Sequence, residues 1–179
     1  MNTLASLLIQ KSQTSGPLDF ASFMEHSLYH PEYGYYSSGK ASIGQRGDFY
    51  TSVSVGPLFG RMLARQFAQM WQQLHRPPSW TLIEQGAFNG QLAFDVLQSL
   101  QTQDPDCFQS TQLIIVEPFT PLQSTQQITL QPFHSKTAWV RDVNDLPTFT
   151  GVHYSNELLD AFPCHRLQFK GSTWTELSI

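Results

Sequence analysis

Charge of either sign is scarce in this chain, and basic charge never gathers. Only 13% of the 179 residues are Asp, Glu, Lys or Arg, with 10 basic against 14 acidic side chains and a formal net charge of −4. Without a Lys/Arg cluster there is no electrostatic footprint for nucleic acid. Partners are therefore expected among small molecules and basic peptides, with no nucleic acid. Cysteine is nearly absent. Cys107 and Cys164 are too few for a disulfide scaffold at this length and have no metal-ligand spacing. No apolar run approaches bilayer-spanning length, so no membrane association is expected. The opening "MNTLASLLIQKSQ" lacks a basic leader region and a small-residue cleavage site, and it is poor in arginine for a transit peptide. These absences favour a reducing compartment, and a cytoplasmic protein is the expectation. Internal repeats and low-complexity tracts are also missing.

What is present is apolar residue enough for a core, 40% of the chain. Leu4, Leu7 and Leu8 predict a short first helix, and Asp19 is a good N-cap for a second that ends before Pro31. Residues 57–75 repeat Leu58, Met62, Phe67, Met70, Trp71 and Leu74 at helical spacing, predicting a long helix stopped by "RPP". Beyond it, strands are expected at 80–84, 111–118, 137–141 and 151–157, with helices over about 90–103 and 119–127. The tail "HRLQFKGSTWTELSI" alternates about Lys170-Gly171 as a hairpin does. Strand and helix in alternation indicate an α/β fold with a parallel sheet and crossover helices.

The stretch "TLIEQGAFNGQLAFDVL" carries the chemistry. In an open parallel sheet, ligands sit beyond the carboxyl ends of the strands. Gly86 stands there, and Gly90 opens the following helix, where lack of a side chain lets helix and strand approach. A dinucleotide loop needs a further glycine so that the main chain can reach the pyrophosphate, and that position is Phe88. A P-loop is excluded because no Lys-Ser/Thr follows the glycines. Glu84 ends the first strand and Glu117 the second, where an acid can accept both hydroxyls of a ribose. Taken singly, each is an ordinary strand-end carboxylate. Together, with the glycine pair between them, they favour S-adenosylmethionine, a cofactor without phosphates.

Four segments in order, "GPLDFASFMEHSLYHPEYGYY", "GDFYTS", "LIEQGAFNGQLAFDVL" and "NELLDAFPCHRLQ", resemble those of the MidA-like class I methyltransferases, a family that includes mitochondrial assembly factors for respiratory complex I. The resemblance covers most of residues 16–170. It implies a Rossmann-like sheet and an S-adenosylmethionine site lined by Glu84, Gly86 and Gly90, with Glu117 on the ribose and Asp142 toward the adenine. It also implies methyl transfer to a protein, arginine being the acceptor in the mitochondrial members. The family motif has glycine where this chain has Phe88.

In "GDFYTS", Gly47 permits an unusual backbone angle, Asp48 is an acceptor, and Thr51 and Ser52 offer hydroxyls. By itself this reads as capping of the long helix. With the resemblance, a lid on the cofactor becomes the favoured role. "SNELLDAFP" follows the fourth strand, where Asn156 and Glu157 would face the sulfonium and the acceptor. A carboxylate there can hold a guanidinium by two hydrogen bonds and take its proton. Asp160 is the next candidate, with helix-turn capping as an equal alternative. His26 and His30 are four apart, but no third ligand converges on them, and a helix C-terminus explains them better than a metal.

The expected organisation is a helical N-terminal cap and lid over 1–78 on a Rossmann-like class I methyltransferase sheet over 79–179, the N-terminal part of a longer protein. The expected function is S-adenosylmethionine-dependent transfer to a protein side chain, arginine being favoured. The alternative is a methyltransferase-fold binding protein or assembly factor without transfer, and Phe88 is the residue that favours it.

Overall fold

The computed structural model describes residues 3–38, 53 and 56–179. They form two compact units. One holds the described residues up to 38 together with those from 157 onward, and the other the described residues between 53 and 156.

The second unit is built on four parallel strands, β1 (Trp80–Gln85), β2 (Thr111–Val116), β3 (Thr137–Val140) and β4 (Gly151–Ser155), in the order β3-β2-β1-β4. The chain runs outward from β1 to β3 and then returns to the other side of β1. That reversal makes β1 and β4 the switch point, where such sheets take ligands. Glu84 pairs in register with Ile115 of β2 and Tyr154 of β4. β1 is buried nearly throughout, as a near-continuous apolar strand covered on both faces must be.

Three helices serve this sheet, α3 (Leu58–Gln73), α4 (Gln91–Gln103) and α6 (Thr120–Thr129), with a short α5 (Pro105–Ser110) leading into β2. α4 buries Leu92, Ala93, Val96, Leu97 and Leu100, a stripe at the helical period. α3 buries Gly60, Ala64, Phe67, Ala68 and Trp71, and its apolar members share one core with Leu82, Val96, Leu97 and Leu113. Gly60 lets α3 and α4 approach, since a Cβ there would lie 2.5 Å from Asp95 Cβ. Gly151 does the same between strands, where an added Cβ would sit 1.7 Å from the Thr81 carbonyl oxygen. The unit boundaries differ from a division at residue 78. α3, assigned to the cap from sequence order, belongs to the sheet unit because its buried stripe is complementary to α4 and the sheet.

In the first unit, α1 (Thr3–Ser15) and α2 (Phe20–Tyr29) come with an antiparallel hairpin of β5 (Leu167–Lys170) and β6 (Thr173–Glu176). Asp19 caps α2 as expected, its carboxylate accepting from Ser22 N–H at 2.6 Å and Ser22 Oγ at 3.0 Å. The hairpin turns at Gly171, whose φ of 63° suits glycine. Leu18 and Ile179 exchange backbone hydrogen bonds of 3.2 and 2.7 Å, and Tyr29 donates its hydroxyl to the Ala161 carbonyl at 2.7 Å.

Candidate functional site

The segment from Glu84 to Gly90 joins β1 to α4 through alternate left-handed residues. Gly86 has φ 75°, Phe88 φ 46° and Gly90 φ 79°. Left-handed backbone costs an L side chain roughly 1–2 kcal/mol, so glycine is the natural occupant of all three positions. Phe88 nevertheless keeps the glycine-like conformation, and its carbonyl accepts from Gln126 Nε2 at 3.0 Å. Gly90 donates its N–H to the Ala87 carbonyl at 2.7 Å, closing the turn, and caps α4. A Cβ on Gly90 would touch Gln126 Cα and Leu130 Cδ1 at 3.4 and 3.5 Å.

Two carboxylates are buried at the strand ends. Glu84 is 2% exposed and accepts from the Tyr154 hydroxyl at 3.0 Å. Its pKa is raised to about 7, because burial outweighs that hydrogen bond. The Tyr154 ring packs on Phe67 of α3, with centroids 5.0 Å apart. Glu117, 3% exposed, accepts from Phe119 N–H at 3.1 Å on one oxygen and from Gln126 Nε2 at 2.9 Å on the other. Burial raises its pKa as well, against those two donors. Gln126, fully buried on α6, also accepts from Trp139 Nε1 at 3.0 Å through Oε1.

Glu84, Gly86, Gly90 and Glu117 thus lie at or just beyond the carboxyl ends of β1 and β2, and Gln126 ties Glu117 to the loop through the Phe88 carbonyl. Asp142 is exposed and turned to local use. It accepts from Asn144 N–H at 2.8 Å and Nδ2 at 2.7 Å in a capping box with Asp145. Asn156 follows β4, half-buried, in the sheet unit. Glu157, exposed with φ 49°, and Asp160, exposed in the 3-10 turn Leu159–Ala161, belong to the other unit. Gly47, Asp48, Thr51 and Ser52 lie outside the described residues.

Sequence reasoning missed Tyr154, Gln126 and Trp139. Gln126 alone left a trace: Leu122, Gln126 and Leu130 are four apart, so a glutamine stands in the apolar register of α6. His26 and His30 have partners of their own, His26 with Ser22 O and Lys11 Nζ, and His30 with the N–H groups of Glu32 and Tyr33. Among the described residues, the side chains close enough to share a cation are Asp19, His165 and Glu176. Asp19 is the α2 cap, and His165 pairs with Glu176 at 2.5 Å.

The donor set suits a cationic nucleoside. Residues 86–90 carry no basic side chain, and two buried carboxylates oppose a phosphate while favouring a cation. Arg141, exposed beyond β3, donates instead to the Pro118 carbonyl at 3.3 Å. An ionised carboxylate offers about four acceptor positions. Two of those on Glu117 are filled by Phe119 and Gln126, which leaves two, the number a ribose diol needs.

The sequence comparisons agree with this class. Residues 62–179 match the family described as "Putative S-adenosyl-L-methionine-dependent methyltransferase", and the chain belongs to it. The cofactor of that family is S-adenosylmethionine. A Burkholderia thailandensis protein crystallised with S-adenosyl-homocysteine is similar at 30% identity and TM-score 0.79, over 97% of this chain and 45% of that one. "Protein arginine methyltransferase NDUFAF7 homolog, mitochondrial" of Drosophila melanogaster is 28% identical, over 99% of this chain and 44% of its own length. The human "Protein arginine methyltransferase NDUFAF7, mitochondrial" is 27% identical, over 96% of this chain and 44% of its own. The chain therefore spans a little under half the length of these curated relatives. Their names also overturn the expectation of a cytoplasmic protein. Cys107 and Cys164 are free thiols, which does not single out the cytoplasm.

Proposed function

We propose that the chain binds S-adenosylmethionine at the carboxyl ends of β1 and β2 and serves an enzyme that methylates a protein, with arginine as acceptor. One observation carries the reading: Glu84 and Glu117, both buried, flank a left-handed loop at the switch point of a parallel sheet. When bound, the cofactor supplies an electrophilic methyl group on a sulfonium. Glu117 would take the ribose hydroxyls, and Glu84 would hold the cationic methionine portion, since a carboxylate is stabilised by an opposite charge it meets. Phe88 leaves the loop backbone in the glycine-like state, so the substitution does not distort the turn.

Glu157 is the proposed acceptor-side carboxylate. Its positive φ is a backbone strain of the kind that gathers at functional sites, and its exposed side chain can hold a guanidinium with two hydrogen bonds. Asn156 and Asp160 are the further candidates for the acceptor side. Arginine is supported by the names of the relatives. Tritiated-methyl transfer to arginine-containing and lysine-containing proteins tests the proposal. Label should appear in arginine, and Glu157→Gln should lower turnover at least about tenfold without altering S-adenosyl-homocysteine affinity. Tight cofactor binding with no transfer to any acceptor would turn the reading to a binding protein.

A further inference from the structure

Gln126 holds the site together in a way that neither the loop nor the strand ends reveal. Trp139 Nε1 is a donor only and lies 3.0 Å from Gln126 Oε1, which orients the amide. Nε2 therefore points at two acceptors, the Phe88 carbonyl at 3.0 Å and Glu117 Oε2 at 2.9 Å. The amide is fully buried, and its oxygen and both its N–H groups are engaged by the site or its supports. One of its hydrogens fixes the rotation of the Glu117 carboxylate. The other ties down the left-handed residue that stands where a glycine is usual.

We infer that Gln126 is a positioning residue that makes Glu117 discriminate a ribose from a deoxyribose. This rests on the reading above that Glu117 takes the ribose hydroxyls. With Phe119 N–H on one oxygen and Gln126 on the other, the two remaining acceptor directions of Glu117 are set before any ligand arrives. Such preorganisation turns two hydroxyls into two charge-assisted hydrogen bonds at little ordering cost. Without the amide, a buried carboxylate loses one of its two donors and its fixed rotation, so the hydroxyls no longer find both acceptors.

The test compares affinities of the full chain for S-adenosyl-homocysteine and its 2′-deoxy analogue, by calorimetry. A hydrogen bond to a charged group contributes about 1.5–3 kcal/mol, so the wild-type chain should prefer the ribose form by about ten- to a hundredfold. In Gln126→Met, folded by circular dichroism, that ratio should collapse to about threefold or less, the 2′-deoxy affinity changing less than the ribose affinity. A purely structural role would weaken both ligands equally and leave the ratio in place, which overturns the inference. Where Gln126→Met does not fold, Trp139→Phe decides. It keeps both amide donors but removes the group that orients them, so a ratio lowered several-fold supports the inference and an unchanged one overturns it. No uptake of either ligand by the wild-type chain would instead remove the cofactor reading, and the inference with it.

Discussion

Glu84 is buried with one described hydrogen-bond partner and a pKa near 7, so its ionisation works against the fold. The unfolded chain gives up this proton near pH 4.5 and the folded chain near pH 7. Between those values the folded state holds more protons, so stability falls as pH rises through the window and stays low above it. The cost at pH 8 is of the order of 3 kcal/mol. Glu84→Gln keeps an acceptor for the Tyr154 hydroxyl and cannot ionise. Urea denaturation should find it more stable than wild type at pH 8 and about equal to it at pH 4. An equal difference from wild type at both values would show that Glu84 does not carry a raised pKa in the folded chain. The strand-end places of Glu84 and Glu117 and the turn at Gly86 and Gly90 were legible because two apolar strands and one glycine-marked turn select them. Tyr154, Gln126 and Trp139 were not, since each acts through a neighbour distant in sequence that only folding supplies.

At the scale of elements, close approach governs the sheet unit. β4 brings Tyr154 to Glu84, and it can lie beside β1 because Gly151 has no side chain to strike the Thr81 carbonyl. Gly151→Ala should destabilise by about 3 kcal/mol or more in thermal or urea unfolding, and cofactor affinity should fall with the loss of the Tyr154 contact. A variant of unchanged stability would mean that the two strands can separate freely at this point. The strands β1 to β4, the helices α3, α4 and α6, and the hairpin about Gly171 followed from periodicity, apolar runs and turn residues. α5 did not, because six residues beginning at a proline give no period to read. Nor did the membership of α3, since the partner for its stripe is α4, 18 residues further along.

At the scale of the whole molecule, the chain belongs to an S-adenosylmethionine-dependent methyltransferase family, and it spans a little under half the length of its curated relatives. Acceptor choice belongs to the proposal for that reason, while the cofactor grip can be tested on this chain directly. The decisive measurement is a calorimetric titration of S-adenosyl-homocysteine into the full chain and into Glu117→Ala, with NAD as control. The account expects saturable one-to-one binding by the wild type, affinity at least about tenfold weaker in the variant, and no uptake of NAD. No binding by the wild-type chain, or equal affinity in the two proteins, would contradict it.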